Sequence, residues 1–205
     1  MESEFAPGGP FALAAEALRE SIEGYSPLGA STWRDLLSHC RGMRLAKHEF
    51  FTVAGAVPTS FGFVHSGLLR VYVSDEEGNE YNKIFFDEGT FPGAMAALLT
   101  GRPSRIAIQA LEATCMLSID FDGYRRLLRE RQDLMWFQIM YLEQNWLLKK
   151  EPRELALVQD DASERYRRFI REYPKLYERL PLFHVASHLG ITPTQLSRIR
   201  KAERT

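Results

Sequence analysis

Hydrogen-bond donors occupy one side of the last helical pattern in the chain, within the stretch LFHVASHLGITPTQLSRIRK at residues 182–201. If this stretch forms a helix with Leu196 and Ile199 on one face, the other face carries five polar side chains: Thr194, Gln195, Ser197, Arg198, Lys201. Such donors hydrogen-bond the edges of base pairs, and the major groove of duplex DNA admits a helix. The pattern therefore predicts a surface that can read DNA.

A preceding short helix and a tight turn would position that surface. Four apolar residues at three- and four-residue spacing give the first helix a buried face: Leu182, Val185, Ala186, Leu189. Gly190 can end this helix in the left-handed conformation, and Thr192 and Pro193 are a typical N-cap and first-turn residue of the next helix. The stretch therefore predicts a helix-turn-helix. The alternative is an ordinary helical hairpin with a solvated basic face.

Charge is distributed unevenly along the chain. The net charge is −1 overall, but residues 162–205 carry ten Lys or Arg against four Glu, a net charge of +6 that leaves −7 for the first 161 residues. A basic carboxyl-terminal part on an acidic body is typical of a protein in which one domain contacts phosphate. The alternative for the segment ERYRRFIREYPK is a solvated helix face.

Length and composition are those of a globular protein. The 205 residues, 45% hydrophobic and 12% aromatic, suffice for one good core and a smaller second one. There is no apolar run of about 18 residues, and the start MESEFAPGGPF lacks the pattern of a signal peptide. We therefore expect a cytoplasmic protein without a membrane partner. Cys40 and Cys115 lie outside any CxxC pattern and are expected to be core thiols.

The middle of the chain changes to β-rich character. Six short segments rich in Phe, Val, Tyr and Ile are predicted strands: Phe50–Val53, Phe61–Val64, Gly67–Val73, Tyr81–Phe86, Arg105–Ala110, Cys115–Ile119. The clearest pair flanks the acidic turn that contains Gly78 and predicts a hairpin. Short strands at this spacing indicate a barrel or jelly roll. Helices are predicted before them at 11–22 and 31–40.

Residues 121–150 predict one long helix between the sheet and the helix-turn-helix. Its portion LMWFQIMYL is apolar on nearly every side, and a helix of that kind must be covered all round. The sheet domain can cover one face, and the same helix of a second copy is the simplest cover for the other. We therefore expect a homodimer with five interface residues: Leu134, Phe137, Met140, Tyr141, Leu148. The alternative is a helix sandwiched between two domains of one chain.

The order of these parts resembles the Crp/Fnr family of bacterial transcription regulators from residue 31 onward. The resemblance is strongest in three segments: SGLLRVYVSDEEGNE, FPGAMAALLTGRPSRIAIQALE and HVASHLGITPTQLSRIRK. It implies an α+β chain with a cyclic-nucleotide-binding-type β-roll or jelly-roll sensor domain at 1–128, a long dimerisation helix at 129–151 and an all-α helix-turn-helix DNA-binding domain at 152–205. These regulators usually add a small β wing, whereas only AERT follows Lys201, so we expect a near-wingless reader.

The resemblance also implies roles within the reading helix. Thr194, Gln195 and Arg198 match the positions that contact bases, and Ser197 is included with them as a DNA contact. Arg198 is the strongest candidate because a guanidinium can bond a guanine edge through two nitrogens. Phosphate contacts are implied for three residues: Thr192, Arg200, Lys201. Double-stranded DNA is therefore the expected partner, and RNA polymerase is a further partner that this class implies.

The sensor departs from the nucleotide-binding members of the family. Those members carry glycine followed by glutamate where the cyclic phosphate is held, and an arginine further along; this chain has Gly93, Ala94 and Ser104. A methyl and a hydroxyl replace the carboxylate and the cation, so we expect an effector other than cyclic AMP, or none. Arg105 should face away, since adjacent strand residues alternate. With Met95, these residues form the candidate effector pocket, and FPGAMAALL would either line a cavity or fill the core.

No cofactor, metal site or catalytic site is expected. His184 and His188 form a helical i,i+4 pair, which inside a helix-turn-helix is more typical of packing or surface than of metal ligation. Near the strands, His48 and His65 are too few for the metal site of a cupin-type enzyme. We therefore expect a homodimeric, sequence-specific transcription regulator whose effector is unknown. The alternative is a dimeric ligand-sensing or protein-interaction module that does not bind DNA.

Overall fold

Strands fill the middle of the chain and helices flank them on both sides. The computed structural model describes residues 2–148 and 160–203. Within these ranges the strands are β1 Cys40–Leu45, β2 Phe50–Thr52, β3 Ser60–Ser66, β4 Leu69–Ser74, β5 Glu80–Phe86, β6 Ala107–Ala110 and β7 Thr114–Asp120. The helices are α1 Glu2–Phe5, α2 Ala12–Glu23, α3 Ala30–Ser38, α4 Met95–Thr100, α5 Phe121–Glu130, α6 Gln132–Leu142, the π-helical turn α7 Glu143–Leu147, α8 Ala162–Glu172, α9 Leu182–Leu189 and α10 Pro193–Ala202.

The strands form two antiparallel sheets that enclose an apolar core, as in the predicted jelly roll. One sheet has the order β1-β7-β3 and the other has the order β2-β6-β4-β5. Buried side chains from both sheets meet between them: Val64, Leu69, Val71, Ile108, Ala110, Met116. All six predicted strands are confirmed as β2 to β7. β1 and α4 were not predicted, because CRGMRL alternates charge with small residues and MAALLT is too short for a helical period.

The hairpin of β4 and β5 places an open strand edge at one side of the second sheet. Gly78 adopts a positive φ of 85° in the connecting turn, and the Asp75 carboxylate accepts hydrogen bonds from the backbone N–H groups of Glu77 and Asn79. Among the strands that the structure describes, β5 is the last of its sheet, and none of them pairs with its outer N–H and C=O groups. Such edges need a cover or a polar cap.

A second core lies on the other side of the β1-β7-β3 sheet, where α2, α3, α5 and α6 pack. Its fully buried members include Leu18, Leu36, Leu117, Ile119 and Leu134. Asp120 caps α5 by accepting a hydrogen bond from the backbone N–H of Gly123 at 2.7 Å. The sensor therefore buries one face of α6 within its own chain.

The prediction of one continuous helix over 121–150 is wrong. Arg131 is extended, with φ −119° and ψ 103°, and separates α5 from α6. The Asp133 carboxylate accepts hydrogen bonds from the backbone N–H of Gly29 at 2.8 Å and from the Thr32 hydroxyl at 2.9 Å, which attaches the start of α6 to the start of α3. Periodicity cannot reveal a break that depends on a partner 101 residues away. Residues 149–151, the end of the predicted dimerisation helix, lie outside the described residues.

A third apolar core joins the carboxyl-terminal helices to the second sheet. Tyr166, Phe169, Val185 and Leu196 are buried together, and three sensor residues contact the same cluster: Leu68, Phe85, Leu111. Among the helices that the structure describes, none combines the length and the apolar character needed to span a membrane.

Candidate functional site

The turn between α9 and α10 has the geometry that its sequence predicts. Gly190 is left-handed, with φ 67° and ψ 34°, and the backbone N–H of Ile191 donates to the carbonyl of Ala186 at 3.1 Å. Thr192 caps α10: its hydroxyl accepts from the N–H of Gln195 at 3.2 Å, and the Gln195 side-chain oxygen accepts from the N–H of Thr192 at 3.0 Å. The glycine turn and the two-way cap that the sequence predicts are therefore both present.

The core of this unit differs from prediction at its first helix. Val185, Ala186 and Leu189 are buried, but Leu182, expected on the same face, is 38% exposed. His184 is buried in its place, because the sensor covers the face of α9 that carries it. The apolar stripe of α9 therefore packs against α8 and α10, while a second, polar stripe faces β5.

The face of α10 that the sequence predicts to read DNA is open to solvent. Its five predicted donors are exposed: Thr194, Gln195, Ser197, Arg198, Lys201. Gln195 already accepts a hydrogen bond in the cap of α10, which leaves its side-chain NH₂ as the group that faces outward. Thr192 is exposed and also committed to the cap through its hydroxyl.

Arg200 differs from the other predicted DNA contacts in its surroundings. Its guanidinium lies 5.4 Å from the ring centroid of Tyr177, and its Nε is buried without a hydrogen-bond partner. The side chain is half-buried between α10 and the segment that precedes α9. The assignment of Arg200 to phosphate stays a prediction, and in this structure the half-buried side chain packs against Tyr177.

Basic side chains of α8 form a separate charged surface. Arg167, Arg168 and Arg171 line a surface cavity of about 230 Å³ together with Asp160 and Glu164. Arg168 pairs with Asp160 at 2.5 Å and Arg167 pairs with Glu203 at 3.1 Å. Because two of these arginines already contact carboxylates, the local surface is less positive than the sequence count indicates.

The polar stripe of α9 covers the open edge of β5. The Ser187 hydroxyl donates to the carbonyl of Glu80 at 2.7 Å and accepts from the backbone N–H of Asn82 at 3.0 Å. The Nδ1 of His188 lies 3.3 Å from the carbonyl of Asn82. The first helix of the helix-turn-helix thus supplies the edge strand with the partners that a further strand would otherwise provide.

Five polar residues connect α9 to the sheet, and we call them the docking cluster: Arg70, Asn82, Gln109, His184, Ser187. Arg70 is only 6% exposed; its Nε and Nη2 donate to the Gln109 side-chain oxygen at 3.0 and 2.7 Å. The Asn82 side-chain nitrogen lies 3.1 Å from His184 Nδ1, and Arg70 Nη1 lies 3.4 Å from the same atom. Two donors at Nδ1 require a neutral imidazole whose proton is on Nε2.

The electrostatics of the cluster favour that neutral form. Burial and the neighbouring Arg70 guanidinium lower the pKa of His184 to about 4. Arg70 is itself paired with Glu80 at 2.6 Å and lies over the Tyr72 ring at 4.0 Å. The His184 side chain is 5% exposed. If Nδ1 of His184 were protonated, it could no longer accept hydrogen bonds from Asn82 and Arg70. The positively charged ring would also be repelled by the Arg70 guanidinium.

A second contact between the two units is ionic. Arg179, which precedes α9, donates to Glu88 at 2.9 Å and to Glu112 at 2.7 Å. Burial acts to raise the pKa of Glu88, but hydrogen bonds from Arg179 and from the backbone outweigh it and lower the pKa to about 2. Polar contacts therefore hold the unit that contains α9 and α10 to the sensor at two places, in addition to the apolar core that the two parts share.

The stability of the protein should fall as the pH is lowered from about 6.5 towards 4. The native state keeps His184 neutral in a range where the unfolded chain protonates it, so acid favours unfolding. The other groups around the imidazole are Arg70, Glu80, His48 and Lys47. The measurement is the urea midpoint at several pH values, with His184→Asn as the comparison, because asparagine can accept at the same place and does not titrate. Equal slopes for the two proteins over this range would contradict the assignment.

The candidate effector segment is occupied by the protein's own side chains. Ala94 and Ser104 are buried, and the Ser104 hydroxyl donates to the carbonyl of Ile106 at 2.7 Å. A Cβ at Gly93 would lie 2.9 Å from Phe61 Cβ and 3.0 Å from the sulfur of Met95. Arg105 is exposed and precedes β6 rather than lying in it. Gly93, Ala94 and Met95, which are consecutive in sequence, therefore pack within the domain, whereas Arg105 is exposed to solvent.

Aromatic side chains connect this segment to α6. The ring of Phe91 lies 5.2 Å from Phe63, 6.1 Å from Phe137 and 5.3 Å from Tyr141, measured between centroids. Tyr25 of the segment after α2 contacts the rings of Phe137 and Tyr141 as well. This contact network fills the space between the effector segment and α6 with the chain's own rings.

The predicted dimer interface is corrected at two of its five residues. Leu134 and Phe137 are 0% and 4% exposed, because the sensor core of their own chain covers them. Met140 and Tyr141 are half-buried, whereas Leu148 is 70% exposed. The outward face of α6 and α7 carries five further exposed apolar residues: Met135, Trp136, Leu142, Trp146, Leu147.

The structure joins a domain of two antiparallel sheets to a carboxyl-terminal pair of helices connected by a glycine turn. Residues 43–131 match the family model of the cyclic nucleotide-binding domain. The overall fold of the chain is that of Crp/Fnr-type regulators. No curated protein matches the chain in sequence.

Three solved structures share this fold over most of their length. The c-di-GMP responsive global regulator CLP of Xanthomonas campestris is 16% identical, with 86% of this chain and 92% of that chain covered and a TM-score of 0.67. FixK2 from Bradyrhizobium japonicum is 18% identical, with 80% and 83% covered and a TM-score of 0.65. The catabolite activator protein of Thermus thermophilus is 19% identical, with 89% and 85% covered and a TM-score of 0.54. At these identities the likeness concerns the fold alone.

Proposed function

We propose that this protein is a dimeric, sequence-specific DNA-binding transcription regulator of Crp/Fnr type whose sensor does not take a cyclic nucleotide. The observation that carries the proposal is the exposed donor face of α10, presented by a glycine turn and a two-way cap. Arg198 reads a base edge, Thr194 and the Gln195 amide lie beside it, and Thr192 and Lys201 contact phosphate. Ser197 completes the same face.

The apolar face of α6 and α7 supports a dimer. Met135, Ile139, Leu142 and Trp146 recur at spacings of four, three and four residues, the pattern by which one helix meets another along a seam. A second copy of the same helix is the partner of this face in the proposal. Leu148, which is 70% exposed, lies outside this spacing and stays a predicted interface residue. In a twofold-symmetric dimer, each of the two reading helices would then contact one half-site of a palindrome.

Cyclic AMP and cyclic GMP should leave the thermal midpoint of the protein unchanged at millimolar concentration. The residues that would pair with the ribose hydroxyl and the phosphate are replaced by a buried methyl and by a serine whose hydroxyl already bonds backbone. A ligand at about 100 times its Kd would add about 2.7 kcal/mol to the free energy of unfolding. The measurement is thermal unfolding with each nucleotide, and a known cyclic nucleotide-binding protein is the positive control. A clear upward shift would contradict this part of the proposal.

The direct test of the function is selection of random duplex DNA by the purified protein in a mobility-shift assay. Enrichment of a palindrome supports a dimeric reader. Absence of enrichment, with the protein folded and dimeric, overturns the proposal and favours a dimeric module that binds a protein or a small molecule instead.

A further inference from the structure

The docking cluster lies between the sensor sheet and the back of the DNA-reading unit. Its members come from β4, β5 and β6 on one side and from α9 on the other, and His184 and Ser187 stand one turn apart on the same face of α9. α9 contacts β5 as well as α8 and α10. The first helix of the reader therefore packs on the sensor and within its own unit at the same time.

Docking leaves the reading face free. Thr194, Gln195 and Arg198 are exposed while His184 and Ser187 contact the sheet, so the docked arrangement does not cover the groups that would meet DNA. The cluster therefore holds the reader in an orientation that is compatible with binding and does not act as a block. A reader held in one orientation loses less conformational freedom when it binds.

We propose that Asn82, His184 and Ser187 are positioning residues that fix the orientation of the reading helix relative to the sensor, and hence the separation of the two reading helices in a dimer. This inference rests on the proposed function. A palindrome requires both helices at once with a set spacing, whereas a half-site requires only one. Loss of the docking contacts should therefore weaken binding to a palindrome and leave binding to its half-site unchanged.

The test uses Asn82→Ala, which alters only the sensor side, with Ser74→Ala as the control because Ser74 is an exposed, uncharged residue of the neighbouring strand. The ratio of palindrome to half-site affinity should fall about tenfold in Asn82→Ala, because the variant removes the side-chain hydrogen bonds to His184 Nδ1 and to the His184 carbonyl. It should not change in Ser74→Ala. Ser187→Ala should behave like Asn82→Ala, and Ser187→Thr, which keeps the hydroxyl, should retain the wild-type ratio.

The docking contact is measured separately, by the hydrogen-exchange rate of the Asn82 backbone amide. This amide donates to the Ser187 hydroxyl across the contact. Exchange there should be about tenfold faster in Ser187→Ala and near wild type in Ser187→Thr. Faster exchange with an unchanged affinity ratio would overturn the positioning role, and so would an equal loss of half-site binding, which would indicate a damaged reader. A wild-type protein that selects no DNA sequence would overturn the proposed function instead, whatever the exchange shows.

Discussion

Replacement of Arg198 by alanine is expected to weaken binding to the selected palindrome by about tenfold to a hundredfold and to relax the preference at one base pair of each half-site. The side chain is exposed on the reading face, and a bidentate contact to a base edge contributes about 1–3 kcal/mol of discrimination. A phosphate contact would behave differently, because its loss weakens all sequences alike. Titration of single-base variants of the palindrome measures both effects.

The matched control is Arg126→Ala, which removes the same charge from an exposed position on α5. Binding by this variant should stay within a factor of about two of wild type, since surface charge far from the contact acts only through a screened field. Equal and uniform weakening in both variants would show that Arg198 contributes only charge and would remove it from the reading face.

Replacement of Leu142 by glutamate is expected to convert the dimer to a monomer at micromolar concentration. The side chain is 41% exposed at the centre of the apolar seam of α6 and α7, and twofold symmetry would bring two carboxylates together there. Like charges in an interface cost several kcal/mol, so dimerisation should weaken by about a hundredfold or more. Sedimentation equilibrium measures the change, and affinity for the palindrome should fall to that for a half-site.

Leu13→Glu is the control for this substitution. Leu13 is 67% exposed on α2, away from the seam, and should tolerate a carboxylate without change in mass or DNA binding. A Leu142→Glu protein that remains dimeric would place the dimer contact elsewhere and contradict the assignment of this face.

The turn of the reader could be predicted because it depends on neighbours in sequence. Gly190, Thr192 and Gln195 determine a left-handed residue and a cap within six positions, and each behaves as its residue type requires. The strands of the sensor were likewise visible as short β-rich segments between turns. Local chemistry was sufficient for both.

The docking cluster could not be predicted in the same way. Arg70 and His184 are separated by 114 residues, and in the sequence each lies in a largely apolar segment. A polar residue in an apolar segment indicates that a buried partner is needed, as for the arginine within LLRVYV and the histidine within LFHVASHL. The sequence does not show that these two residues are each other's partners. The same applies to Leu134 and Phe137, whose apolar character is equally consistent with a dimer seam and with the core of one chain.

The break at Arg131 and the inward placement of Arg200 share this physical origin. Asp133 binds the start of α3, and Tyr177 faces the Arg200 guanidinium, so in both cases a distant or non-periodic partner overrides the local pattern. Sequence patterns predict whether a segment forms a helix or a strand. The face that the segment buries depends on its neighbours in space.

Sequence-specific DNA binding is tested most directly by equilibrium titration of the wild-type protein with the selected palindrome and with a scrambled duplex of equal length, each at two salt concentrations. We expect an affinity for the palindrome about a thousandfold or more above that for the scrambled duplex, with both affinities falling steeply as salt increases. Equal affinity for the two duplexes, or binding that does not respond to salt, would show that the protein is not a sequence-specific DNA reader.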